Sequence, residues 1–488
     1  MSLQRIGESI HKSQKNQPNA SSGNLTAAGL NHYTITTWSD VSVQTGDANL
    51  PLFQPGLEFN SPVHGPWNIV HTGMLLPESI QIYVCAKNCM RGVVLTAAEM
   101  NAANRFSFVI IDEADLLTDN LEEITIEGVT DVLHKRAQLP KAVLLFTVCL
   151  HHFAGSDLDR IYTELSSRFP ELSFIRCFMD PIMQKQGPTP DQKLRKAMYD
   201  PILKQPQITK SVTLAGSDFT LEPACELHKI LHQHGYTLKE FAACQSWNDY
   251  QALGSSELII SIYPPAKYGV EALAKRLDKK HLYLPANFNF EEITEQYNQL
   301  LCALSLPMLS EDEVQFKVQQ CHATLADTLQ HIGQIPIVID YTCHPRPLGL
   351  ARLLTEHGFN VCQIFLDAVS AEEIRDFEWL KANAPNVWLT ATIAPKMRVY
   401  QRHSLQNLKN YVSDSDLINN TSDTVLAIGQ KAAWFTGTKH FVNIVSGGGL
   451  YGFDGIRRMA ELITDAFEQE KEPQEYIIQK GWGCDCCL

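Results

Sequence analysis

The strongest constraint in this sequence is an alternation. Short runs rich in β-branched and aromatic residues, each one strand long, are separated by stretches with helical periodicity. The first series is IQIYVC (80–85), FSFVIID (106–112), KAVLLFTVC (141–149) and LSFIRCF (172–178). Strands that reach one another through a helix pair in parallel, and a parallel sheet needs cover on both faces. The chain breaks at YDPILKQPQ (199–207) and restarts with SVTLAG (211–216), LKEFAAC (238–244), ELIISIY (257–263) and HLYLPA (281–286). An amphipathic stretch over 311–331 leads into a third series: IPIVID (335–340), VCQIFLD (361–367), NVWLTA (386–391), TVLAIG (424–429) and FVNIV (441–445). The expected fold class is therefore α/β, with three tandem Rossmann-like doubly wound units built on parallel sheets. The expected boundaries are 61–208, 209–310 and 311–470. An irregular arm rich in Asn, Ser, Thr, Gln and Gly precedes them (1–60), and a Cys-rich tail follows (471–488).

Composition narrows the class of function. The 488 residues are 44% hydrophobic and 19% charged, which is ordinary for a globular protein and gives ample volume for several cores. Asp and Glu number 54 against 40 Lys and Arg, a net charge of −14. Nothing concentrates the basic residues into a face that releases counterions, so nucleic acid is not an expected partner. No apolar run reaches the ~18 residues of a membrane span, and no membrane association is expected. The opening MSLQRIGESIHKSQ lacks the apolar stretch of a secretory signal, so the expected location is the cytoplasm. In that reducing compartment the 13 cysteines are not expected to form structural disulfides.

Ligands of an open parallel sheet bind outside the carboxyl ends of its strands. Cys85 ends one expected strand, Cys89 opens the segment after it, and Cys149 ends another strand of the same unit. A lone cysteine is most often a small buried hydrophobe. Three that converge on one rim can ligate iron or zinc. His64 and His71, in SPVHGPWNIVHTG, lie upstream within possible reach of that rim, although packing or capping is the commoner role for either. The tail carries Cys484, Cys486 and Cys487, which suit metal ligation, closure over a site, or disulfide exchange.

Other motifs invite functional readings that their context weakens. In CELHKILHQH, Cys225, His228 and His232 share a helix face with His234 nearby, a zinc-like spacing that a solvated face explains better. FVIIDEAD (108–115) resembles the acidic strand end of nucleotide hydrolases, yet no G-x-x-x-x-G-K-[ST] phosphate loop accompanies it, so no ATP site is expected in this chain. SGGGLYGFDG (446–455) follows a strand and opens a helix, which suits an anion at a helix N-terminus or, more simply, a tightly packed turn.

In layout and in local motifs the sequence resembles component 1 of nitrogenase and the nitrogenase-like oxidoreductases, over about residues 60–470. LLFTVCLHHFAGSDLDRI is similar to a family segment of the form Cys-Pro-x-x-x-x-Gly-Asp-Asp, with Cys149, Gly155 and Asp157 in place, Ser156 at the first aspartate and Leu150 replacing the proline. IYVCAKNCMRG puts Cys89 at the family's second cysteine but lacks the glycine-proline turn. The family's first cysteine falls near His64, and Cys85 is an extra thiol able to substitute for it. LYGFDGIRRMAELITDAF is similar to a glycine-rich helix start in the family's third unit. The resemblance implies an iron-sulfur cluster, of four irons or more, held by Cys85, Cys89 and Cys149. The remaining ligand would come from His64, the tail cysteines or a partner. It implies a homologous subunit or second copy as that partner, and a separate ATP-hydrolysing iron-sulfur reductase as electron donor. The substrate expected from the resemblance is a small molecule or a metallocofactor in a cleft near SIYPPAKYG and SGGGLYG. SIYPPAKYG (261–269) lacks the cysteine and arginine of family subunits that anchor the molybdenum cofactor, which argues against a dinitrogen reductase. The alternative implied function is a non-catalytic scaffold for metallocofactor assembly or transfer.

Overall fold

A computed structural model describes residues 41–53, 69–117, 120–180, 187–394, 397 and 425–472. His64, Cys484, Cys486 and Cys487 lie outside these residues. The described chain forms three α/β units, each on its own sheet. Apart from β1 (Ser42–Gln44), every strand pairing is parallel.

The first sheet contains β2 (Ser79–Cys85), β3 (Phe106–Ile110), β4 (Ala142–Val148) and β5 (Ser173–Met179), in the order β3-β2-β4-β5. Its central strands β2 and β4 are buried along their whole length, which is why they read as unbroken apolar runs. Alternate residues serve opposite faces. Tyr83, Cys85, Leu144 and Phe146 pack into one apolar cluster, and Ile80, Ile82, Val143 and Leu145 into another. Tyr83 stacks on Phe146 with ring centroids 4.3 Å apart, and its hydroxyl donates to Gln81 Oε1 at 2.7 Å.

The second sheet contains β6 (Ile208–Leu214), β7 (Thr237–Glu240), β8 (Ser256–Ser261) and β9 (Lys280–Tyr283), in the order β7-β6-β8-β9. The third contains β10 (Ile337–Asp340), β11 (Val361–Phe365), β12 (Trp388–Thr390), β13 (Leu426–Ile428) and β14 (His440–Val442), with β1 added antiparallel to β12. The order is β1-β12-β11-β10-β13-β14. β1 comes from the stretch whose composition suggests an irregular arm. Three residues are too few to show periodicity, and the pairing is held by a partner hundreds of residues away, with Ser42 Oγ 2.8 Å from Thr390 Oγ1.

The long helix Glu311–Ile332 starts at a capping box between Ser310 and Glu313 and packs on the final helix Gly452–Glu468, where Thr328 donates to the Ala460 carbonyl at 3.2 Å. Among the described residues no helix is long and apolar enough to cross a membrane.

In every sheet the first strand of the parallel series, β2, β6 or β10, has successors on both sides. The order therefore reverses between β2 and β4, between β6 and β8, and between β10 and β13. A crevice opens outside the carboxyl ends at each such point.

Candidate functional site

The switch point of the first unit is where the cysteines lie. Cys85 is the last residue of β2 and fully buried; burial first, then the neighbouring Cys89 thiol, push its pKa up to about 12. Cys89 sits exposed in the first turn of helix Lys87–Glu99, where partial desolvation and then the Cys149 thiol raise it. Cys149, half-buried, opens helix Cys149–Phe153 directly after β4. β2 and β4 are neighbours in the sheet, so Cys85 at the end of one, Cys89 just beyond it and Cys149 just after the other all lie at the carboxyl edge of the first sheet. Among the described residues no group of three or more His, Cys, Asp or Glu side chains is arranged to hold a single metal ion. A four-iron cluster differs from a single ion in this respect, because each of its thiolate ligands binds a different iron.

His151 sits on the same short helix but is a structural residue. Its Nδ1 accepts the Val148 N–H at 3.3 Å, its Nε2 lies 3.1 Å from Thr125 Oγ1, and burial pushes its pKa down to about 4. The ring is held neutral and both nitrogens are engaged, which fixes the turn that carries Cys149. His71 is buried in helix Ile69–Met74.

The remaining motifs have structural roles. Asp112 and Asp115 cap their own four-residue helix, the Asp112 N–H donating to Asp115 Oδ2 at 2.7 Å. Cys225 is buried and its thiol faces the Tyr451 carbonyl at 3.7 Å. His228 faces Glu240 at 3.6 Å, and His234 Nδ1 meets the Ile230 carbonyl at 2.9 Å. The start of helix Gly452–Glu468 is already filled by a carboxylate of this chain. Buried Glu226, from the second unit, accepts the N–H groups of Phe453 and Asp454, the latter at 2.9 Å. A Cβ at Gly452 would stand 2.1 Å from the Tyr297 hydroxyl, so this turn is the tightly packed kind and not an open anion site.

The rims of the second and third units face each other. Tyr263, just after β8, places its hydroxyl 3.4 Å from Ser446 Oγ, which joins the SIYPPAKYG and SGGGLYG turns. Beneath Tyr263 the buried Arg195 donates to both carboxylate oxygens of Asp218, at 2.7 and 3.0 Å. At the third switch point Lys431, only 5% exposed, donates to the Tyr341 hydroxyl at 2.6 Å and lies 3.3 Å from Thr392 Oγ1. Asp340, fully buried at the end of β10, accepts N–H groups from Thr342 and Ala432, and burial raises its pKa.

The family profile described as nitrogenase component 1 type oxidoreductase matches residues 125–468, over two thirds of the chain. This chain belongs to that family. Solved structures that share its fold include two nitrogenase chains. One, described as nitrogenase Cp1 at pH 6.5, has 13% identity and a TM-score of 0.60, covering 85% of this chain and 94% of the other. A second, nitrogenase Cp1 at pH 5, has 12% identity and a TM-score of 0.55, covering 88% and 94%. No curated protein sequence matches this one. The matched stretch of the component 1 type chain includes Cys149, while Cys85 and Cys89 lie upstream of it.

Sequence reasoning missed Arg195, Asp218, Asp340 and Lys431. Lys431 leaves one signal, a lone charge inside the apolar run TVLAIGQKAAWF. The buried groups of the third unit also set an opposed pair of titrations in this component 1 type chain. Glu373 accepts the Leu348 N–H at 2.7 Å, and burial raises its pKa from 4.5 to about 7. His344 is pushed from 6.5 down to about 3 by burial and then by Arg346. The stability Glu373 gains by protonation is present below pH 4.5 and lost as pH rises through 7. That of neutral His344 is present above pH 6.5 and lost as pH falls toward 3. Over pH 5–6.5 the two offset. Glu373→Gln removes one side, so its stability should drop on acidification from pH 7 to 5 by roughly 2 kcal/mol more than wild type. Urea unfolding at both pH values checks this, and parallel profiles would refute it.

Proposed function

We propose that this chain is a subunit of a nitrogenase-like oxidoreductase that binds an iron-sulfur cluster through Cys85, Cys89 and Cys149. It would receive electrons from a separate ATP-hydrolysing iron-sulfur reductase for multi-electron reduction of a small molecule. The observation that supports this reading is the position of Cys85 at the end of β2 and of Cys89 and Cys149 in the first turns of the helices that follow β2 and β4. The donor set is soft thiol sulfur, the usual ligand of such clusters. A bound cluster would supply one-electron transfer at this rim. The chain's own residues would set its surroundings: Cys85 binds from the dry interior, Cys89 from the open side, and the His151 turn orients Cys149.

Three thiols leave a four-iron cluster one ligand short, so a homologous subunit or second copy completes it. Support comes from large apolar side chains exposed at the same edge of the sheet. Leu117 is 88% exposed after β3 and Phe153 71% exposed after β4, as suits a face covered by another polypeptide. The first unit (61–208) thus holds the cluster, and the second (209–310) and third (311–470) enclose the substrate cleft at Tyr263 and Ser446.

The test is iron and acid-labile sulfide per chain after anaerobic purification, with an electron paramagnetic resonance spectrum, on wild type and Cys149→Ala. About four irons per cluster are expected in wild type and none in the variant, with circular dichroism unchanged. Reconstituted wild type that holds no iron would sink the proposal.

A further inference from the structure

At the opposite edge of the first sheet, the amino ends of β2 and β4 border an open cavity of about 600 Å³. Ser79 opens β2 and Lys141 immediately precedes β4, so six residue steps at ~3.3 Å put this cavity roughly 20 Å from the Cys85 rim. Three cations line it: Arg105, Arg136 and Lys141. Glu78 is the one carboxylate in the lining, and it accepts the Trp247 N–H at 2.6 Å.

The two guanidiniums are held by neutral groups. Arg105 donates to the carbonyls of Met74, Leu76 and Ser79 at 3.0, 2.7 and 3.0 Å and to Ser79 Oγ at 2.8 Å. Arg136 donates to the Asn104 carbonyl at 2.7 Å and lies 3.4 Å from Ser107 Oγ. Burial lowers the pKa of both, with no carboxylate contributing to either. Elsewhere on the first unit Arg160, Arg168 and Arg176 each pair with a carboxylate. In a chain of net charge −14, a cavity with three cations and one engaged carboxylate is a local excess of positive charge. Arg105 is committed to the turn that it ties together. Arg136 keeps free N–H donors of its fork and Lys141 its ammonium, beside an apolar wall that includes Leu139 and Pro140.

We propose that this cavity binds a small organic polyanion, with one oxyanion group on the Arg136 fork and a second on Lys141. A guanidinium fork matches a phosphate or a carboxylate equally well in geometry, and the volume is that of a small-molecule site. The site is separate from the cysteine rim and does not depend on the cluster.

The test is calorimetric titration of the full-length, anaerobically purified protein at low salt, with pyrophosphate and with citrate as probes. The comparison is wild type against the double variant Arg136→Gln, Lys141→Gln, which leaves Arg105 in place. Expected is binding to wild type that weakens by about tenfold or more in the variant, with melting temperature and iron content unchanged. Preference for pyrophosphate assigns a phosphate-bearing ligand, and preference for citrate a polycarboxylate. No binding of either probe, or equal affinity in the variant, overturns the proposal.

Discussion

Asp218→Ala should lower the unfolding free energy by roughly 3–5 kcal/mol, the usual loss when one partner of a buried ion pair is removed. Arg195 projects from helix Pro190–Tyr199 and is 2% exposed, as is the Asp218 side chain. Its guanidinium binds Asp218 through two N–H groups, donates to the Gly216 carbonyl at 3.2 Å and stacks over the Tyr263 ring at 4.8 Å. Without Asp218 the charge is left with Asp191, whose side chain is 29% exposed and 3.0 Å from Nε. Replacing both partners, as in Arg195→Met with Asp218→Leu, removes the stranded charge and should recover most of the loss. Urea unfolding of the single and double variants measures this. A single-variant loss below about 1 kcal/mol, the range of an exposed pair, would mean that Asp191 alone neutralises Arg195.

Gly449→Ala is expected to cost a comparable amount, roughly 2–6 kcal/mol, from two sources that add. The residue has φ +84°, which strains any L side chain, and a Cβ there would stand 2.1 Å from the Thr220 carbonyl oxygen of the second unit. The Glu222 N–H also donates to the Gly449 carbonyl at 3.2 Å, so the two backbones have no room to part. Gly155 supplies the control, since it has φ +64° but open space where a Cβ would go. Gly155→Ala should therefore cost only the backbone term of about 1–2 kcal/mol. Equal losses in the two variants, read by thermal unfolding, would show that the contact with Thr220 contributes nothing.

The three-unit architecture was readable because parallel strands buried on both faces must be apolar throughout, as β2 and β4 are. The placement of Cys85 and Cys149 was readable for a related reason: both stand at the carboxyl ends of strands, and parallel strands end on the same edge of their sheet. What the sequence could not show was pairing across distance. Arg195 and Asp218 lie 23 positions apart with no pattern linking them. The glycine-rich turn looks open until Glu226, 227 positions upstream of Phe453, is seen to fill the helix start behind it. Local chemistry marks a turn as suited to an anion; only the fold reveals that the chain brings its own.

The edge strand β1 has a consequence for how the protein is made. Ser42 leaves the ribosome 348 residues before its partner Thr390, an interval of roughly 20–70 s at about 5–20 residues per second. Through that time the first two units can complete their sheets, while β1 waits for β12, the strand that it pairs with. The third unit must therefore reach back to a strand made before the first unit, and closure of that edge ties β12 to a segment on the far side of two completed sheets.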